Sequence, residues 1–117
     1  MKVVSLVPSI TETLFDLGLT SDEIVGRTKF CIHPKELVKD VEIIGGTKNL
    51  NIEKIKALKP DLIIANKEEN VKEQVEELMK DFKVLVTNVE TLEDNYYLIK
   101  QFGHLFGKEE KAQFLNI

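Results

Sequence analysis

Short apolar runs alternate with helical periodicities along this chain. Residues 3–7, Val-Val-Ser-Leu-Val, predict a first buried strand. Pro8-Ser9 interrupts it, and Ser9-Ile10-Thr11-Glu12 fits a capping box with Ser9 at the N-cap. Ile10, Leu14 and Leu17 follow at helical spacing, and Gly18 supplies the stop. Ile24-Val25-Gly26 predicts a brief second strand, and Glu42-Ile43-Ile44 a short extended segment running into Gly45-Gly46. Asn51 is expected to cap a helix that turns Ile52, Ile55 and Leu58 inward and closes at Lys59-Pro60. Asp61-Leu62-Ile63-Ile64-Ala65 is the clearest buried strand. Asn70 is expected to cap the next helix, whose apolar face is Val71, Val75, Leu78, Met79 and Phe82. Residues 83–87 predict a further strand. Thr91 with Asp94 then opens a longer helix through Leu92, Tyr96, Ile99 and Leu105, Gly107 breaks it, and residues 108–115 open another.

Strands this short and this uniformly apolar, separated by helices, imply an α/β, Rossmann-like fold: a parallel sheet of about four strands with helices on both faces. In such sheets ligands sit outside the carboxyl ends of the strands. The loops to inspect are therefore residues 8–11, 27–33, 45–49, 66–70 and 88–91.

The 117 residues suit one domain, and 43% hydrophobic with 31% charged residues is globular composition, not disorder. A net charge of −4 argues against a nucleic-acid partner, because no basic excess supplies counterion release. The single cysteine excludes a disulfide framework and a multi-cysteine zinc site. No apolar run approaches the roughly 18–20 residues of a membrane span. No basic segment followed by an apolar one opens the chain. As written it reads as cytoplasmic, or as periplasmic or cell-surface if it is a trimmed mature form.

Nucleotide motifs are missing: no G-x-G-x-x-G follows the first strand, and no G-x-x-x-x-G-K-[ST] occurs. Gly45-Gly46-Thr47-Lys48 has its glycines in the wrong order for a phosphate loop, and a turn needing positive φ explains the pair. Cys31-Ile32-His33 lacks a third orienting group for nucleophilic catalysis and a third ligand for zinc. It reads as a loop cysteine and a surface histidine. Glu12, Glu53, Glu68, Glu69, Glu109 and Glu110 fit helix starts or solvated loops, and no pair has the context of an acid/base couple. No catalytic residue, resident cofactor or metal site is expected.

Taken together, the loops carry a resemblance. Val4-Ser5-Leu6-Val7-Pro8-Ser9-Ile10-Thr11-Glu12, Val25-Gly26-Arg27-Thr28-Lys29-Phe30-Cys31, Ile44-Gly45-Gly46 and the string from Asn51 to Ala65 that ends "ALKPDLIIA" are the residues concerned. They resemble the helical-backbone substrate-binding proteins of ABC importers for cobalamin, haem and ferric siderophores, the helical backbone metal receptors. The resemblance implies two Rossmann-like lobes joined by a rigid helix, with the ligand between them. On that reading residues 1–107 are the amino-terminal lobe, residues 108–117 begin the interlobe helix, and the second lobe is missing.

The resemblance also implies site residues. Pro8, Ser9 and Ile10 match the first cleft loop, and Asn66 and Lys67 match the third. Phe30 falls where cobalamin binders often place an aromatic against the ligand, and it reads equally as an anchor for its loop. Thr47 falls where a cobalamin binder has tryptophan, so that contact is lost. Glu53 matches the glutamate that docks into an arginine pocket of the ABC permease, although the helix dipole explains an acid there as well. The implied function is non-catalytic binding of a small-molecule metal chelate, a corrinoid, haem or ferric siderophore, for an ABC-type importer. A cytoplasmic corrinoid- or metallocofactor-handling or sensing protein is the alternative. Uncovered Phe106, Phe114 and Leu115 suggest a homodimer through the carboxyl-terminal helix.

Overall fold

The structure, a computed structural model, describes residues 1–116. In chain order it runs β1 (Val3–Ser5), α1 (Pro8–Asp16), β2 (Ile24–Arg27), α2 (Lys35–Val38), β3 (Glu42–Ile43), β4 (Gly45–Gly46) and β5 (Asn49–Leu50). Then follow α3 (Ile52–Leu58), β6 (Leu62–Asn66), α4 (Lys72–Met79), β7 (Val84–Thr87), α5 (Leu92–Phe106) and α6 (Glu109–Leu115). The main sheet is five-stranded and wholly parallel, in the order β3-β2-β1-β6-β7. β4 and β5 form a separate antiparallel hairpin.

Alternation along the central strands divides the core into two layers, as the two-residue period of a strand requires. Val3, Leu62 and Ile64 face α1, α5 and α6 with Leu14, Phe102 and Ala112. Val4, Ile63 and Ala65 face α3 and α4 with Ile55, Val75 and Leu78. Each valine, leucine, isoleucine or phenylalanine among them contributes roughly 1.5–3 kcal/mol when fully buried. The predicted α/β class with both faces covered is what the chain adopts.

The boundaries differ in instructive ways. The sheet has five strands where about four were expected, because Glu42–Ile43 pairs in parallel with Gly26 and Arg27. Both β3 residues are exposed, so no burial pattern announces this edge strand. The Ser9–Glu12 capping box does not form. α1 starts at Pro8 with Val7 as its N-cap, since proline's fixed φ suits the first helical position. Asn70 does not cap α4 either; Val71 holds that position without a side-chain bond. Asn51 and Thr91 behave as expected. Asn51 Oδ1 accepts from the Lys54 N–H, and Thr91 with Asp94 makes a complete capping box.

Two glycines are required by geometry. Gly45 has φ 111°, and a Cβ there would stand 2.5 Å from the Asn49 carbonyl oxygen. Gly103 lets α6 close on α5, because a Cβ there would meet the Ala112 Cβ at 2.5 Å. α6 therefore folds back onto α5, and the last residue of the expected 108–117 helix lies outside the described residues. Phe106 and Leu115 are half-buried against the core, whereas Phe114 is exposed. No helix among the described residues is long and apolar enough to cross a membrane.

Candidate functional site

The strand order reverses direction at β1. From there the chain builds outward through β2 and β3, then returns to add β6 and β7 on the other side. A crevice must open outside the carboxyl ends of β1 and β6, where the connections leave in opposite directions. The loops named from the sequence converge there.

One buried side chain ties three of them. Asn70, only 5% exposed, donates from Nδ2 to the Leu6 carbonyl oxygen at 3.1 Å and to the Thr47 carbonyl oxygen at 3.1 Å. Its Oδ1 accepts from the Asn66 backbone N–H at 2.8 Å. The amide thus joins the segment after β1, the tip of the β4–β5 hairpin and the loop after β6. Lys48 Nζ adds a bond to the Glu68 carbonyl oxygen at 2.8 Å. Asn66 Oδ1 accepts from the Glu68 and Glu69 N–H groups, which winds residues 66–69 into a tight turn.

A second knot holds the loop after β2. Thr11 Oγ1 lies 2.8 Å from Ser5 Oγ and 3.2 Å from Cys31 Sγ, and Thr28 Oγ1 lies 3.2 Å from the same sulfur. Cys31 is buried while His33 is exposed, so the two do not form a reactive pair. Among the described residues no group of three or more His, Cys, Asp or Glu converges.

Phe30 lies in the same loop, between Thr28 and Cys31 in sequence. It is 55% exposed, with Lys29 Nζ 5.3 Å from its ring centroid. Its ring edge rests on the hairpin, as a Cβ at Gly46 would lie 3.4 Å from Phe30 Cε2. The Lys29 N–H donates to the Gly45 carbonyl oxygen at 2.9 Å, fixing this loop to the same hairpin.

The predicted residues fall into three groups. Ser9, Ile10 and Asn66 line one cavity of about 350 Å³ at the crevice, walled also by Glu68, Glu69 and Thr87. Thr47 and Phe30 lie on the hairpin side and do not line that cavity: Asn70 binds the Thr47 carbonyl oxygen, and the Phe30 ring rests beside Gly46; Pro8 is half-buried at the start of α1, and Lys67 is exposed with its N–H on the Thr87 carbonyl oxygen. Glu53 lies apart, exposed in the first turn of α3. Its neighbours Lys54 and Lys56 pair with Glu42 at 2.7 Å and Asp81 at 3.5 Å. A larger cavity of about 710 Å³ is lined by α5, α6 and Asn116 and contains none of the predicted residues.

Sequence reasoning missed Asn70 and Lys48. The available signal was the pair Asn66 and Asn70 bracketing a polar loop directly after the most apolar strand.

A family model described as periplasmic binding protein matches residues 3–116. The chain is 39% identical over 119 residues to the uncharacterized ABC transporter substrate-binding lipoprotein YvrC of Bacillus subtilis, covering 97% of this chain and 37% of that protein. It is 33% identical over 113 residues to the vitamin B12-binding protein of Salmonella typhimurium, covering 96% and 41%. Among solved structures, the periplasmic vitamin B12 binding protein of Vibrio cholerae superposes with a TM-score of 0.85 at 29% identity, over 96% of this chain and 44% of that one. The chain spans about two-fifths of the length of the curated relatives it matches.

Proposed function

Because this chain belongs to the periplasmic binding protein family, we propose that it is a ligand-binding lobe of an ABC importer's substrate receptor. Residues 1–107 form the lobe, and residue 108 onward begins the helix leading to its partner lobe. The ligand is a metal chelate, namely a corrinoid, haem or a ferric siderophore, gripped and released without chemical change. The work is done outside the cytoplasmic membrane, where the relatives named as lipoprotein and periplasmic protein would meet their ligands.

The observation that carries this reading is Phe30, a largely exposed aromatic propped on a hydrogen-bonded edge at the strands' carboxyl ends. About 100 Å² of ring surface remains to be covered, worth roughly 2.5 kcal/mol against a planar macrocycle or an apolar chelate shell. Pro8, Ser9 and Ile10 at the start of α1 add the contacts of the first cleft loop, and Thr47, Asn66 and Lys67 supply polar contacts that orient the ligand. Glu53, exposed on α3 and free of an ion pair among the described residues, is the docking carboxylate for an arginine of the permease.

Absorbance titration with cyanocobalamin, haemin and a ferric hydroxamate tests the reading. Saturable binding of one chelate, weakened about tenfold or more by Phe30→Ala, is the expected result. Saturation with none of them, or affinity indifferent to Phe30, overturns it.

A further inference from the structure

Arg27 closes β2, is only 8% exposed, and no carboxylate among the described residues pairs with it. Its Nε donates to the Val41 carbonyl oxygen at 3.2 Å and its Nη1 to the Cys31 carbonyl oxygen at 3.0 Å. Those carbonyls occupy two of the five guanidinium N–H groups and leave the charge uncompensated. Buried arginines are ordinarily paired, because taking a charge out of water costs several kcal/mol.

Arg27 also lines a cavity of about 380 Å³ between the loop after β2 and α2. The other lining residues are Ile32, His33, Lys35, Val38 and Lys39. Every ionisable group in that wall is basic, within a chain whose net charge is −4. Two acids adjoin this wall in sequence, both exposed: Glu36, which pairs with Lys39 Nζ at 3.0 Å, and Asp40; neither lines the cavity. A concave wall of one sign focuses its field on the opposite charge.

We propose that this cavity binds a small oxyanion, a carboxylate- or phosphate-bearing molecule, anchored on the Arg27 guanidinium. The planar fork of arginine suits two oxygens of one anion, and Lys35, exposed and without an ion pair among the described residues, adds mobile charge at the mouth. The volume accommodates an anion the size of citrate as well as free phosphate. None of the residues carrying this site belongs to the crevice residues proposed to hold the chelate, so the two proposals stand or fall separately.

The test follows thermal unfolding by circular dichroism in sodium citrate and in sodium phosphate, each against sodium chloride of equal ionic strength. A ligand that binds only the folded state raises Tm along a saturating curve. The expected result is a saturable rise of several degrees in at least one oxyanion, lost in Lys35→Glu, whose exposed side chain makes no ion pair among the described residues. In a parallel NMR titration with the same salts the Arg27 Nε–H resonance, held by the Val41 carbonyl, is expected to shift. Exclusion of kosmotropic salts from the surface also raises Tm, but without saturation and equally in Lys35→Glu. That pattern, or an unmoved Arg27 resonance, overturns the proposal.

Discussion

Replacing Asn70 by alanine removes the amide that ties three crevice loops and leaves three former partners behind. The Leu6 carbonyl oxygen lies in a buried bond, whereas the bonds to the Thr47 carbonyl oxygen and from the Asn66 N–H are part-buried. A buried polar group stripped of its partner costs about 1–3 kcal/mol, and groups that water can reach recover most of that. Assigning the full penalty to Leu6 and a fraction to the other two gives about 2–4 kcal/mol. Against a typical total of about 5–15 kcal/mol this is a large loss. Urea unfolding reads it as a lower midpoint at unchanged slope. Hydrogen exchange gives the local signature: the Asn66 amide loses protection selectively, while Ile63 and Ile64 in the sheet centre fall only with global stability. Asn70→Asp keeps an acceptor for the Asn66 N–H but turns a carboxylate oxygen toward two carbonyl oxygens, so it is expected to be at least as damaging as alanine. A loss below about 0.5 kcal/mol in both variants, with Asn66 still protected, would refute the reasoning.

Phe30→Ala removes an exposed ring and is expected to change stability by no more than about 0.5 kcal/mol while lowering chelate affinity, a separation that paired denaturation and binding titrations read directly. Gly45→Ala places a methyl group against the Asn49 carbonyl oxygen at a positive φ, and a loss of about 2 kcal/mol or more by urea unfolding is expected; a neutral result would mean that the hairpin has another low-energy path. Gly103→Val wedges α6 away from α5, so amides of residues 109–116 should exchange rapidly while those of β1 and β6 stay protected. Glu53→Gln is expected to leave folding and ligand affinity unchanged and to weaken stimulation of the cognate permease in reconstituted vesicles.

Much of the fold was legible because burial imposes its own pattern. Val3-Val4 and Ile63-Ile64 lie in central strands covered on both sides, so continuous apolar runs mark them without ambiguity. β3 was legible as a short extended segment but not as a fifth strand: its two residues are exposed, and its place comes from pairing with Gly26 and Arg27, which no local pattern encodes. At Ser9 two local signals competed, and the preset backbone of Pro8 prevailed over the hydroxyl cap. Asn70 escaped for a deeper reason. Its donors serve carbonyls 64 and 23 residues away, and an asparagine before a helix looks the same in sequence whether it caps that helix or bridges remote loops. The site loops could be named from topology alone, since parallel strands deliver their carboxyl ends to one edge. How tightly those loops are joined depends on long-range hydrogen bonds.

The most direct measurement is amide NMR mapping of the intact chain as a bound chelate is titrated in. The account expects shifts confined to the carboxyl-end loops, at Ser9, Ile10, Phe30, Thr47, Asn66 and Lys67, with α6 and the amino ends of the strands unmoved. Perturbations centred instead on the groove lined by Tyr96, Tyr97 and Gln113 would contradict it.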